Sequence, residues 1–108
     1  MAKKTWFYGK NIVLSGASSG IGFEMAKIFA VKYKCNIVGL GRTESKLINA
    51  KKTIDEIIEK QKDKFNLRGS FSYKVLDVCD ENSWINLKQE LDNENFGVDV
   101  LINNAGIF

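Results

Sequence analysis

The sequence predicts an α/β fold: a doubly wound parallel sheet with helices on both faces, in the order β-α-β-α-β-α-β. Short apolar runs of the kind that form buried strands occur four times, at residues 11–14, 36–40, 72–76 and 98–103. Amphipathic segments with helical periodicity separate them, at residues 21–33, 44–62 and 81–93. This alternation favours right-handed crossovers and the strand order 3-2-1-4, with a ligand crevice between strands one and four.

The first strand runs into a glycine-rich stretch, residues 15–22, that leads directly into the first helix. Its glycines and serines are Gly16, Gly20, Gly22, Ser15, Ser18 and Ser19. Glycine permits φ > 0 and lets the backbone approach a ligand closely. The start of a helix offers unpaired N–H groups and a positive dipole end, so the stretch favours a phosphate site. A glycine-rich turn without a ligand is the alternative, because the spacing is G-x-x-x-G-x-G rather than the common G-x-G-x-x-G.

Each helix is expected to turn one apolar face towards the sheet. In helical order these faces are Ile21, Met25, Ile28 and Phe29; then Leu47, Ile48, Ala50, Ile54, Ile57 and Ile58; then Trp84, Leu87 and Leu91. Thr43 and Asp80 are expected to cap the second and third helices. Three aromatic residues are expected to cover one end of the sheet: Trp6, Phe7 and Tyr8.

The composition is that of one globular domain: 108 residues, 44% hydrophobic and 27% charged, with a net charge of +3. No apolar run approaches the ~18 residues of a membrane span, and the N-terminus lacks the apolar region of a signal peptide. We therefore expect a cytoplasmic protein. Charges of both signs alternate along the second helix, which favours a solvated face over a nucleic-acid patch. Cys35 and Cys79 lack metal-ligand spacing, and the absence of histidine excludes Ser-His-Asp and Cys-His catalysis within the chain.

The second strand ends at Arg42 and Thr43. Dinucleotide folds place a carboxylate here, about 20 residues after the glycines, to bind a ribose 2′-OH, or an arginine to accommodate a 2′-phosphate. No acid stands at residues 40–42, and the planar guanidinium of Arg42 suits a phosphate. An ordinary surface arginine is the alternative, and Glu44 would reverse the preference if the turn were shifted by two residues.

The last two strands also end in polar residues. Asp77, beside the crevice, can accept a hydrogen bond from an adenine amino group or make a local turn bond at the helix entry. The fourth strand ends in Asn103-Asn-Ala-Gly106, which offers amide hydrogen bonds and close backbone approach, or forms an ordinary asparagine-glycine turn.

Three motifs together resemble the short-chain dehydrogenase/reductase family: Ser15-Gly-Ala-Ser-Ser-Gly-Ile-Gly22, Asp77-Val78 and Asn103-Asn-Ala-Gly106. They match in order, at the expected strand ends, over nearly the whole chain. The resemblance implies a Rossmann fold and an NADP-dependent oxidoreductase acting on a small carbonyl or alcohol. The cofactor-binding residues that it implies are Gly16, Ser18, Ser19, Gly20, Ile21, Gly22, Arg42, Thr43, Asp77, Val78, Asn103, Ala105 and Gly106.

The resemblance also implies a role for each part of this set. The glycine loop would hold the pyrophosphate, and Asp77 and Val78 would border the adenine. The fourth-strand motif would stabilise the sheet and line the ribose, and Arg42 would favour NADP(H) over NAD(H). The expected partners are this dinucleotide and the small-molecule substrate, with a homo-oligomer for the full-length protein and no nucleic acid, membrane or metal.

The chain departs from the family pattern in two places. Ser15 stands where the family usually has threonine, which keeps the hydroxyl and loses a methyl group. The catalytic Tyr-x-x-x-Lys is absent, since the residues four positions after Tyr8, Tyr33 and Tyr73 are isoleucine, isoleucine and aspartate. We therefore expect residues 1–108 to be the N-terminal part of a single cofactor-binding domain, with no catalytic residue and no activity by itself. An uncovered fourth strand supports this expectation.

Two other functions are compatible with the sequence. One is a non-catalytic NADP-binding sensor or scaffold, and the other is a sugar-nucleotide epimerase or dehydratase of related fold. The tight Gly20-x-Gly22 spacing counts against the second. A serine followed by Tyr-x-x-x-Lys downstream of Phe108 would favour the enzyme over the sensor.

Overall fold

Four parallel strands and three helices make up the part of the chain that the computed structural model describes, residues 6–61 and 67–104. The strands are β1 (Asn11–Ser15), β2 (Asn36–Gly41), β3 (Ser70–Val75) and β4 (Val100–Asn103). The helices are α1 (Gly20–Val31), α2 (Glu44–Lys60) and α3 (Glu81–Asn93). The order across the sheet is β3-β2-β1-β4 and every pairing is parallel, which confirms the predicted fold class and strand order.

The strand boundaries differ from the prediction where tertiary contacts set them. β3 begins two residues early, at Ser70, because the Ser70 N–H donates to the Cys35 carbonyl at 3.0 Å and extends the ladder with β2. β4 begins two residues late. Asp99 and Asn11 exchange two hydrogen bonds of 2.9 Å at the start of β1, and the ladder with β4 begins only after them. Residue 62, the predicted end of the second helix, lies outside the described residues.

The helices cover both faces of the sheet, as predicted. α1 and α2 pack on one face, around a core formed by Ile12, Leu14, Ala26, Ala30, Ile37, Ala50, Ile54, Ile58 and Phe71. α3 packs on the other face, against Val13, Val38 and Leu40 through Leu87 and Leu91, with Trp84 partly buried beside them. The expected inward face of the third helix is therefore confirmed.

The predicted face of α1 is partly wrong. Ile21 and Ile28 are 74% and 47% exposed, and the buried residues of the helix are Gly22, Ala26 and Ala30. Met25 and Phe29 do pack against the core. Small residues four positions apart let the helix backbone lie close to the sheet, and a search for large apolar side chains overlooks them. Ile48 on α2 is likewise exposed rather than inward.

An aromatic cluster packs beside the N-terminal end of the sheet. The Phe7 ring lies edge-on to Phe29 and Tyr33, with centroids 5.2 and 4.9 Å apart. The Cys35 thiol is buried beneath it and donates to the Phe7 carbonyl at 3.1 Å, and burial raises the pKa of this thiol. The expected aromatic cover is thus made by Phe7, whereas Trp6 is 71% exposed.

β4 is an edge strand, since β1 is its sole partner in the described sheet. Leu101 is 58% exposed, on the α3 side of the sheet. An open apolar cleft of about 330 Å³ lies between α3 and β4, and Val13, Trp84, Leu87, Leu91, Phe96 and Leu101 line it. None of the described helices is long and apolar enough to cross a membrane.

Candidate functional site

The carboxyl ends of the four strands lie along one edge of the sheet, and each predicted site segment follows one of them. Ser15 at the end of β1 is paired with Asn103 at the end of β4. Gly41 at the end of β2 is paired with Val75 at the end of β3. The structure thus brings the predicted segments to a common edge, with the exception of Ala105 and Gly106, which lie outside the described residues.

The glycine-rich loop uses two of its glycines for their backbone freedom. Gly16 has φ +65° and Gly20 has φ +59°, which are left-handed conformations that other residues rarely adopt. After β1 the chain passes beside the end of β2, where the Gly16 N–H donates to the Leu40 carbonyl at 3.0 Å. Ala17 is fully buried there, whereas Ser19 and Gly20 are exposed. The loop therefore presents its second half to solvent.

The third glycine of the motif, Gly22, is needed for space. A Cβ on Gly22 would overlap the Gly16 carbonyl oxygen and crowd the Asn104 amide nitrogen. The first turn of α1 therefore sits directly against the loop and the end of β4. Any side chain at this position would push the helix start away from both.

The start of α1 has features that suit an anion. Ser19 occupies the N-cap position but its side chain makes no capping hydrogen bond, and the first turn of α1 contains no acidic residue. In contrast, Asp80 caps α3 by accepting from the Asn82 N–H at 3.0 Å, and α2 begins with Glu44. Among the three described helices, α1 alone combines an uncapped start with an acid-free first turn. Its N–H groups and positive dipole end are available to a negative ligand.

The ends of β1 and β4 are joined by a small hydrogen-bond network. The buried Ser15 hydroxyl donates to Asn103 Oδ1 at 2.7 Å and accepts from the Asn104 N–H at 2.9 Å. Asn104 Nδ2 donates to the Gly16 carbonyl at 3.4 Å, so that the network reaches the glycine loop. Asn104 was expected as the second amide of the strand-four motif, but it was not among the predicted cofactor-binding residues.

Arg42 is exposed, and the ion pairs among the described residues do not include it. Thr43 occupies the N-cap position of α2, as predicted, but its side chain makes no capping hydrogen bond. Glu44 is turned to the outer strand, where its Oε2 accepts from the Tyr73 hydroxyl at 3.4 Å. The nearest carboxylate to Arg42 in the sequence thus has a partner on β3.

The segment after β3 is a tight turn. The sequence left two roles open for Asp77, a bond to adenine and a local turn bond. The local turn bond is present, since Asp77 Oδ1 accepts from the Cys79 N–H at 2.9 Å. Asp77 remains exposed. The Leu76 N–H donates to the Gly41 carbonyl at 2.8 Å, which joins this turn to the loop that carries Arg42. Sequence reasoning missed one further contact, because Trp84 was expected only as an inward residue, yet its Nε1 donates to the Val78 carbonyl at 2.7 Å.

Among residues 6–61 and 67–104, no group of three or more acidic, cysteine or histidine residues lies close enough to hold a metal ion. The groups that the predicted site residues offer to a ligand are backbone N–H groups, hydroxyls, amides, one guanidinium and one carboxylate.

Two known proteins that are similar to this chain are a dehydrogenase and a reductase. The chain is 37% identical over 103 residues to an NADP-dependent 3-hydroxy acid dehydrogenase of Schizosaccharomyces pombe, covering 92% of this chain and 35% of the relative. It is 31% identical over 100 residues to a benzil reductase ((S)-benzoin forming) of Saccharomyces cerevisiae, covering 92% and 34%. The chain thus spans about a third of the length of the curated relatives that it matches.

The solved structure of a reductase is also similar to the structure of this chain. L-sorbose reductase from Gluconobacter frateurii, in complex with NADPH and L-sorbose, superimposes with a TM-score of 0.73 at 27% identity, covering 92% of this chain and 34% of that one. The family model for short chain dehydrogenases matches residues 10–108. The chain therefore belongs to the short-chain dehydrogenase/reductase family.

Proposed function

We propose that residues 1–108 form the cofactor-binding part of an NADP(H)-dependent oxidoreductase that transfers a hydride between the cofactor and a small carbonyl or alcohol. The observation that carries the proposal is the start of α1. It is uncapped, free of acids, and placed behind a loop in which Gly16 and Gly20 adopt left-handed conformations. This arrangement suits the pyrophosphate of a dinucleotide.

The pyrophosphate side of the cofactor is assigned to the glycine loop. Ser18 and Ser19 provide hydroxyl groups, and the backbone from there to Gly22 provides N–H groups. Ser19, Gly20 and Ile21 are exposed, so that a ligand can reach them. The tight contact between Gly22 and the Gly16 carbonyl holds the N–H groups of the helix start close to the loop.

The 2′-phosphate of NADP(H) is assigned to Arg42 and Thr43. Arg42 has no ion-pair partner among the described residues, so binding a phosphate would break no existing pair. Glu44, whose carboxylate would repel a 2′-phosphate, is paired with Tyr73 instead. The Schizosaccharomyces pombe relative is named as NADP-dependent, and the L-sorbose reductase was solved with NADPH, which supports the same preference here.

The remaining parts of the cofactor are assigned to the ends of β3 and β4. Asp77 and Val78 border the adenine, with the carboxylate accepting from the adenine amino group. Asn103, Ala105 and Gly106 line the ribose. Asn103 also joins β4 to β1, because its Oδ1 accepts a hydrogen bond from the Ser15 hydroxyl.

The bound cofactor would supply or accept the hydride, and the residues of this chain would bind and orient it. No tyrosine of the chain is followed by lysine in the Tyr-x-x-x-Lys pattern, so the proton for a substrate oxygen has no donor of that kind here. We therefore propose no catalytic residue within residues 1–108 and no turnover by this stretch alone. A cytoplasmic location and a homo-oligomeric whole protein remain part of the proposal.

The test is titration of NADPH and NADH against the protein that carries this sequence, with Arg42→Ala as the variant. The wild type is expected to bind NADPH more tightly. Loss of a charge-assisted bond to the 2′-phosphate is expected to weaken NADPH binding by roughly 10- to 150-fold, with NADH binding nearly unchanged.

Arg68→Ala is the matched control, because Arg68 is the other arginine of the chain and pairs with Glu59 at 3.7 Å instead. It should leave both affinities unchanged. Equal or tighter binding of NADH by the wild type would contradict the NADP(H) preference. Failure of the wild type to bind either dinucleotide would contradict the cofactor site altogether.

A further inference from the structure

We infer that Trp84 is a positioning residue for the adenine end of the cofactor, acting through its hydrogen bond to the Val78 carbonyl. The inference rests on the proposed function, in which Asp77 and Val78 border the adenine. It adds a residue on α3 that lies outside every motif of the sequence. The side chain of Trp84, on α3, holds the backbone of Val78, in the turn between β3 and α3.

The bond itself is short and partly buried. Trp84 Nε1 donates to the Val78 carbonyl oxygen at 2.7 Å. The indole ring packs against the core that Leu87 and Leu91 form under α3, so its position is set by the helix. A tryptophan N–H that is removed from water needs an acceptor, and here the acceptor belongs to the candidate adenine loop.

The other bonds of this loop are local or lie at its start. The Cys79 N–H donates to Asp77 Oδ1 at 2.9 Å, and the Asp80 N–H donates to the Asp77 carbonyl at 3.0 Å. The first bond fixes the shape of the turn, and the second joins the turn to Asp80, the residue that caps α3. The Leu76 N–H, bonded to Gly41, anchors the start of the turn. The Trp84 bond attaches the middle of the turn, at Val78, to the side of α3.

The position of the turn matters for recognition of the base. Asp77 Oδ1 already accepts one bond within the turn, whereas Oδ2 keeps its full capacity to accept from an adenine amino group. A hypoxanthine base carries a carbonyl oxygen in place of that amino group, so it offers the carboxylate no donor at that position. The preference for adenine over hypoxanthine therefore depends on where the turn holds Asp77. Loss of the Trp84 N–H would leave the Val78 carbonyl without this partner and loosen the turn between its two remaining attachments, at Leu76 and at Asp80.

The experiment compares NADPH with its hypoxanthine analogue, using the protein that carries this sequence and the Trp84→Phe variant. Removal of one hydrogen bond is expected to weaken NADPH binding about three- to tenfold, while binding of the hypoxanthine analogue changes by less than about twofold. The ratio of the two dissociation constants therefore moves towards one. Trp6→Phe is the matched control, because the Trp6 side chain is 71% exposed, and it should leave both constants unchanged.

A purely structural role of Trp84 predicts a different result. Both dinucleotides would then weaken by the same factor, and an unchanged ratio would overturn the inference while leaving the proposed function intact. Failure of the wild type to bind either dinucleotide would overturn the proposed function and this inference with it. In the Asp77→Ala background, Trp84→Phe is expected to leave the ratio unchanged, and a change there would also overturn the inference.

A second replacement keeps the test decisive if Trp84→Phe fails to fold. Benzothienylalanine in place of Trp84 retains both fused rings and exchanges only the N–H for sulfur. It should preserve the packing against Leu87 and Leu91 and still shift the ratio towards one. A folded protein with this replacement and the wild-type ratio would overturn the inference.

Discussion

The Ser15 hydroxyl donates a 2.7 Å hydrogen bond to Asn103 Oδ1, across 88 residues of sequence. The same oxygen accepts from the Asn104 N–H at 2.9 Å. One buried hydroxyl thereby ties the end of the first strand to the end of the last described strand. These are the two strands between which the sequence predicts a ligand crevice, and the network joins the two strand ends that would border it.

Ser15→Ala should destabilise the protein, because it leaves the Asn103 oxygen and the Asn104 N–H without this partner. We expect the free energy of unfolding to fall by about 1–2 kcal/mol, measured by urea denaturation. Ser15→Thr is the control, since threonine keeps the hydroxyl, and it should lie closer to the wild type. An alanine variant at least as stable as the threonine variant would contradict this role of the hydroxyl.

Gly22→Ala should be more disruptive than its small change in volume suggests. The added Cβ would overlap the Gly16 carbonyl oxygen, which is backbone and cannot rotate away. We expect a loss of about 1–3 kcal/mol in unfolding free energy or failure to fold, together with loss of dinucleotide binding. Gly97→Ala is the matched control, because a Cβ there meets nothing within 4 Å. Equal stability of the two variants would show that the helix start can move.

Lys74 should contribute stability that is lost in strong base. Its ammonium bonds to Glu94 at 2.6 Å and lies 3.3 Å from Glu90, and the hydrogen bond with Glu94 is the chief cause that raises the pKa of Lys74 above its ordinary 10.5. A lysine pKa raised by folding stabilises the native state below pH 10.5, and this contribution disappears as the pH rises through the raised value.

Lys74→Met should therefore lower the unfolding free energy by about 0.5–1 kcal/mol at neutral pH, with the difference from wild type shrinking as the pH rises beyond 10.5. The measurement is a series of denaturant titrations across this pH range. Lys88→Met is the control, because the Lys88–Asp92 pair is more exposed, and its effect should be smaller. A difference for Lys74→Met that stays constant through strong base would argue against the charge as its origin.

The open edge of β4 should make the isolated 108-residue chain associate with itself or fold only marginally. Leu101 is 58% exposed beside an apolar cleft, and the outer side of β4 has no partner strand within the described sheet. Leu101→Lys should reduce association in sedimentation velocity measured over a range of concentrations. Ile48→Lys, on an exposed site of α2 on the opposite face, should not. A monomeric wild-type chain with a cooperative thermal transition would contradict the prediction.

Helix and strand positions were largely readable from the sequence, because they follow from local periodicity. Alternating apolar strands and amphipathic helices predicted the parallel sheet and its order, and the structure confirms both. The predicted inward face of α1 was partly wrong because small residues, Ala26 and Ala30, form the contact with the sheet. Their burial depends on how closely the backbones approach each other. The predicted start of β3 was also wrong, because a hydrogen bond from Ser70 to the distant Cys35 carbonyl extends the ladder.

By itself, the sequence determined the candidate site as a set of segments. The glycines and the polar residues after each strand could be named because such residues act through local backbone geometry and through position at a strand end. The tertiary structure alone decided how these segments are held. Ser15 with Asn103 and Glu44 with Tyr73 are pairs whose members lie on different elements, 88 and 29 residues apart in the sequence. Such pairs depend on the register of strands and the packing of helices, which no local pattern encodes.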